Sequence, residues 1–307
     1  MTTSDRPRPL KEAARITQML DQVFGTDRFN REPVDVAALA VEYSRRVAPE
    51  SPIHEVVERN LPGCVGALVY SDVQPRQWAI MYHQEQSPGR RAFTIGHEFG
   101  HYVLHRPLIE QGVGFDGGIY CDEDSVIRRG GAGIEKEADE FAAALLMPLH
   151  DFRRQLPAKD RPDFDLLSRL ATRYGVSLTA VILRWLEYTE TRAIMVVSNE
   201  GFAHWAKPSQ AALRSGRYIR TKDVVYELPA QSAAARADYS NEARQGIAQP
   251  ANVWFPESVL EMCLRSDRYD QEIILLHFEN DGPHYEAEDE SKDVLDLFVD
   301  RGRTVTR

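Results

Sequence analysis

Cysteine is scarce in this chain: Cys64, Cys121 and Cys263 are the three among 307 residues, odd in number and never in CxxC spacing. A disulfide framework is thereby excluded, and the three are expected to be core or inert thiols in a reducing compartment. A basic excess is also missing, with 37 Lys and Arg against 47 Asp and Glu and a formal net charge of −10. That balance argues against the sequence-independent phosphate attraction of most nucleic-acid binders, so direct nucleic-acid binding is not expected. No stretch approaches the roughly 20 apolar residues of a membrane span. The opening "MTTSDRPRPLKEAARI" has no apolar core of a secretory leader, so no membrane partner is expected and the expected location is the cytoplasm. Internal repeats and low-complexity tracts are absent. What remains, 43% hydrophobic and 27% charged residues, suffices for a sizeable core in one large or two medium domains.

Periodicity divides the chain. Ala13, Ile16, Met19, Leu20 and Phe24 recur at helical spacing, and "PVDVAALAVEYS" predicts a second helix with Asp35 at its start. "GALVYS" and "QWAIMYH" read as two neighbouring strands, either of them a possible sheet edge on which a peptide could add as a further strand. After the histidine-rich "TIGHEFGHYVLHRP" comes "EQGVGFDGGIYCDEDSVIRRGGAGI", whose seven glycines predict a long irregular loop. "EKEADEFAAALLMP" predicts a helix ended by Pro148. "AKDRPDF" is a short linker, and "DLLSRLATRYGVSLTAVILRWLEY" reads as two helices around Gly175, the second capped by Ser177. Beyond Thr191 the texture changes to strands, "AIMVVS", "DVVYEL" and "EIILLHFE", with "SKDVLDLFVDRG" as a closing helix. The fold class expected is α+β, divided as residues 1–155, a helical helix-turn-helix-like segment 156–190, and a second small α+β domain 191–307.

The chemistry concentrates in "HEFGH". His97 and His101 are four apart, so a helix stacks them on one face, where both imidazoles can grip a single ion. Glu98 projects over the edge of that face and is placed to act as general base on water without ligating the ion. A catalytic zinc takes three protein ligands and keeps one open position, which lowers the pKa of water there to about 7. The third ligand expected is Glu135 in "EKEAD", with Asp139 one turn on accepting the Nδ1 proton of His97. Small residues Ala138, Ala142, Ala143 and Ala144 allow that helix to approach closely. Glu137, about 200° round from Glu135, is the lesser alternative for the ligand. His105 lies too far along the helix axis to close a tetrahedron with its neighbours, and is expected beside the ligands or lining the cleft. Tyr120, Arg128 and His150 are candidates for polarising the scissile carbonyl.

"LATRYGVSLTAVILRWL" has helix-turn-helix texture with Arg169, Arg173 and Arg184 nearby, but Val181, Leu183 and Trp185 look core-facing, which favours a scaffold over DNA reading. Phe202, Trp205 and Trp254 are expected to pack the C-terminal core, and "EAEDESKD" to be a solvated loop.

At "RRAFTIGHEFGHYVLH", "IEKEADEFAAALLMP" and "LATRYGVSLTAVILRWL" the chain resembles the ImmA/IrrE family of metallo-endopeptidases, over roughly residues 10–190. The resemblance implies a zincin-like peptidase fold, with His97, His101 and Glu135 as metal ligands and Glu98 as catalytic acid/base. It also implies a protein substrate, a helix-turn-helix repressor of the Xre type encoded nearby, whose cleavage relieves repression in a stress or mobile-element response. The family often has Asn where this chain has Asp139; either side chain can hold His97. Radiation-response members carry a GAF-like sensor domain, which residues 191–307 match in length and strand content. Zn2+ is the expected ion, with Mn2+ as the other candidate. The competing expectation is a non-catalytic, zinc-containing transcriptional regulator that binds a repressor or DNA, its metal closed by a fourth ligand such as Cys121.

Overall fold

The structure is a computed structural model that describes residues 7–71, 75–111, 117–122, 133–222 and 224–279. Arg128, the acidic "EAEDESKD" and the closing helix "SKDVLDLFVDRG" lie outside the described residues.

The chain opens with α1 (Pro9–Phe24), which buries Ala13, Ile16 and Leu20, while Met19 and Phe24 of the expected stripe stay exposed. Helix α2 (Val36–Val47) starts where Asp35 accepts a hydrogen bond from the Ala38 N–H at 3.0 Å. Three strands follow, β1 (Ile53–Arg59), β2 (Cys64–Ser71) and β3 (Gln77–His83), then the long helix α3 (Pro88–Glu110) and strand β4 (Gly118–Asp122). The sheet order is β1-β3-β2-β4, with β1 parallel to β3 and the other pairs antiparallel. This corrects the expectation of an edge at "GALVYS" or "QWAIMYH": both strands are interior, and the edges are β1 and β4. β4 also runs through the glycine-rich stretch expected to be irregular throughout.

Helices α4 (Gly133–Leu146), α5 (Leu149–Gln155), α6 (Phe164–Tyr174) and α7 (Leu178–Leu186) come next. Gly175 caps α6 in the left-handed conformation, and Ser177 caps α7 by accepting the Ala180 N–H at 3.2 Å. The two helices meet at 105°. α7 buries Val181, Ile182 and Trp185. Arg173 is bonded to Asp151, and the buried Arg184 reaches the Met147 carbonyl and Glu187. Two of the three arginines that gave the segment its DNA-reading texture are thus committed to internal contacts.

The remaining elements are β5 (Ala193–Asn199), β6 (Phe202–Pro208), α8 (Gln210–Arg214), the two-residue β7 (Tyr226–Glu227), α9 (Asn241–Gln245), β8 (Ile247–Gln249), β9 (Val259–Ser266) and β10 (Gln271–Phe278). The strands form one antiparallel sheet in the order β7-β6-β5-β10-β9-β8. β5 and β10 lie at its centre and are apolar on both faces because both faces are covered. Met195, Val197, Ile273 and Leu275 join the core of Trp78, Phe99, Phe141 and Trp185, whereas Ile194, Val196, Ile274 and Leu276 pack with Trp254 and Cys263 on the other side. Of the aromatics assigned to the C-terminal core, Trp254 is buried there, Trp205 leans partly on the first core, and Phe202 is 44% exposed. No single helix among the described residues is long and apolar enough to cross a membrane.

Candidate metal centre

Helix α3 passes through the middle of the first core, with Thr94 to Tyr102 buried without interruption. Its partner is α4, and the closeness of the pair comes from both sides. A Cβ on Gly100 would lie 3.1–3.2 Å from Phe141 and the Ala138 backbone, and one on Gly96 would lie 3.4 Å from Ala142. The alanines seen in sequence are half of this device, and the glycines at four-residue spacing are the other half. The approach brings Glu135, in the first turn of α4, to the histidines of α3.

His97 Nε2 lies 3.2 Å from Glu135 Oε2, His101 Nε2 lies 3.5 Å from Glu135 Oε1, and the two Nε2 atoms are 3.0 Å apart. Behind this trio, Asp139 accepts the Nδ1–H of His97 at 2.9 Å, which leaves His97 Nε2 aimed at the trio. His105 is held on the far side. Its Nε2 donates to Glu137 at 2.9 Å, so its bare Nδ1 accepts from His101 Nδ1 at 3.0 Å. That tautomer turns the lone pair of His101 Nε2 towards Glu135 as well. Glu137 therefore acts on the cluster through His105, without lying among its donors.

A fourth donor completes the group. Cys121 Sγ is 3.4 Å from His97 Nε2 and 3.7 Å from His101 Nε2, and the donor atoms of His97, His101, Cys121 and Glu135 all lie within 4.8 Å of one another. Cys121 and Cys263 are buried core residues, as expected, and Cys121 in addition faces the imidazoles from β4.

Charge in the cluster favours a cation. Burial raises the pKa of Glu135, but its contacts with His101 and His97 outweigh it and hold the carboxylate well below its usual range. Burial opposes protonation of His97, yet its bonds to Asp139 and Glu135 and the nearby Glu98 lift it to about 10. His101, desolvated and beside a charged His97, drops to about 4. Of the two stacked imidazoles, His97 is the one that holds a proton, at the place a divalent ion would take.

Glu98 is 0% exposed, and neither carboxylate oxygen has a hydrogen-bond partner among the described residues. Burial lifts it to about 7, with the charge on His97 and the Cys121 thiol pulling the other way. Its space is made by β2, since a Cβ on Gly66 would stand 2.6 Å from both Glu98 Oε1 and Thr94. The remaining candidates are elsewhere. Tyr120 is 59% exposed and, by strand alternation, projects opposite to Cys121. His150 pairs with Asp21 at 3.4 Å on α1, away from the cluster.

An HExxH helix laid against a mixed sheet, with a carboxylate delivered from a second helix, is the architecture of a zincin-like metallopeptidase domain. Residues 50–186 match the peptidase M78 family model, described as an IrrE N-terminal-like domain. No curated protein matches the chain. A solved structure of a Mycobacterium tuberculosis transcriptional regulator is similar at 18% identity and a TM-score of 0.49, over 89% of this chain and 81% of that one.

Proposed function

We propose that this chain is a zinc-dependent endopeptidase that cleaves a protein substrate, a helix-turn-helix repressor of the Xre type, and so relieves repression in a stress or mobile-element response. One observation carries the reading: Glu98, wholly buried and with the Cys121 thiol as its nearest polar neighbour among the described residues, stands beside a donor set that calls for a cation. A buried carboxylate without partners costs stability, and such groups concentrate where chemistry uses them.

In this reading His97, His101 and Glu135 hold the ion, Asp139 orients His97, and His105 with Glu137 orients His101. When bound, the ion supplies Lewis acidity that activates water and polarises the peptide carbonyl. Glu98 takes a proton from the attacking water as its oxygen bonds to the carbonyl carbon. It then returns the proton to the amide nitrogen as the C–N bond breaks. Substrate backbone pairs with the edge strand β4. Zn2+ is the favoured ion, Mn2+ the alternative, and the cytoplasm the site of action. Residues 1–155 and 156–190 form the peptidase and its helical scaffold, and 191–307 a sensor module of GAF-like type.

The position of Cys121 favours a second reading, a non-catalytic regulator whose zinc is closed by four protein ligands and which binds a repressor or DNA. A closed site leaves Glu98 buried with no task, which is why it ranks second. The test mixes zinc-loaded chain with the small helix-turn-helix protein encoded beside its gene. Hydrolysis predicts loss of the full-length band with wild type but not with Glu98→Gln; a stable complex without cleavage by either favours the second reading.

A further inference from the structure

The four donor atoms are arranged as though around one ion. A tetrahedral site with bonds of about 2.0–2.1 Å to nitrogen and oxygen and about 2.3 Å to sulfur has donor–donor edges of about 3.3–3.6 Å. The separations here are 3.0 Å between the imidazoles, 3.2 Å from His97 to Glu135 Oε2 and 3.5 Å from His101 to Glu135 Oε1, 3.4 and 3.7 Å from the imidazoles to Cys121, and no more than 4.8 Å between the sulfur and the carboxylate. The sulfur therefore sits where an open site keeps water. Its placement follows from strand register: Cys121 pairs with Gly66, the glycine whose missing side chain leaves room for Glu98, and the thiol is 1% exposed. The crevice lined by Val65, Phe93, Thr94, His97, Glu98 and Cys121 has a volume of ≈ 10 Å³, room for about one water and none for a peptide.

We propose that Cys121 is the fourth protein ligand of the ion in the resting chain, and that its thiolate must be displaced before a substrate carbonyl can enter. This rests on the metal reading above and turns its two versions into two states of one site. The four-ligand state is latent, and the three-ligand state has the open position that hydrolysis requires. On binding the ion the thiol releases its proton to solvent, and on displacement it regains one; the sulfur is neither oxidised nor alkylated. The unpartnered Glu98 beside it is the base kept ready for the open state.

Titration of the full chain with Co2+ in place of zinc tests this through the near-ultraviolet charge-transfer band of a cobalt–thiolate bond. The band is expected in wild type, Cys64→Ser and Cys263→Ser, and is expected to vanish in Cys121→Ser, which still binds one Co2+ with visible ligand-field absorption. Zinc affinity should fall at least about tenfold in Cys121→Ser as one of four ligands is lost. One Co2+ bound to wild type without the thiolate band would overturn the proposal and leave the open-site peptidase reading standing. So would a band that survives in Cys121→Ser. Failure of wild type to bind Co2+ or Zn2+ in the cluster would remove both.

Discussion

Glu98 and Glu261 are each 0% exposed, one on α3 and one on β9, and their surroundings are opposites. Glu261 is met by four donors: the N–H groups of Ala233 and Ala234 at 2.9 and 3.4 Å, Gln249 Nε2 at 2.7 Å and Trp254 Nε1 at 3.0 Å. It ties the segment after β7 to the second sheet. Among the described residues Glu98 has no such set of donors, and it shares its crevice with the His97 imidazole and the Cys121 thiol. Burial alone therefore does not mark a functional carboxylate; burial without partners does. The same physics separates Arg173 and Arg184, whose internal bonds mark scaffold, from His97 and His101, whose Nε2 atoms converge on a common point.

The sharpest way to break the comparison is to neutralise each glutamate. Glu98→Gln should lower hydrolysis of the repressor by about 10²–10⁴-fold, read by single-turnover cleavage, with metal content unchanged. Glu261→Ala should leave four buried donors unmatched and cost about 3 kcal/mol in urea unfolding, while the folded fraction keeps its zinc. If Glu261→Ala costs less than Glu98→Gln in stability, the assignment of roles is reversed.

A smaller effect concerns pH in the metal-free protein. Glu98 titrates near 7 when folded and near 4.5 as a free side chain, so the folded state resists an ionisation that the unfolded chain accepts. Stability relative to Glu98→Gln is therefore highest below about pH 4.5, falls as pH rises towards 7, and levels off above, by about 3 kcal/mol in all. Denaturation of both proteins across pH 4–8 measures the difference. A flat difference would mean that Glu98 has a partner.

The smallest effect is Gly100→Ala. The added methyl meets Phe141 and the Ala138 backbone, so α3 and α4 must part by a few tenths of an ångström. The better helix propensity of alanine offsets most of the strain, keeping net stability within about 1 kcal/mol. Zinc affinity, measured by chelator competition, should fall several-fold because Glu135 is drawn back from the histidines.

Much of this site was legible in sequence because its rules are local. Four-residue spacing on a helix fixes which faces His97 and His101, and Glu135 and Asp139, present, whatever the rest of the chain does. Caps at Asp35 and Ser177 were legible for the same reason. What escaped depends on distant pairing. β1, "IHEVVER", buries Ile53 but exposes its charged residues along a sheet edge, which leaves no clean alternation to find. β4 is five residues in glycine-rich surroundings, and its register against β2, which turns Cys121 inward and Tyr120 outward, has no trace in the linear order. β2 and β3 became interior strands because β1 and β4 joined from elsewhere in the chain. Gly66 belongs with these: its role exists only because Glu98 arrives from α3.

The most direct measurement is an anomalous difference map at the zinc edge from crystals of the zinc-loaded chain. One peak is expected between the Nε2 atoms of His97 and His101 and the carboxylate of Glu135, with Asp139 still on His97 Nδ1 and Glu98 off the ion. Zinc found solely at surface sites, with the Glu135 carboxylate turned away from both rings, would contradict it.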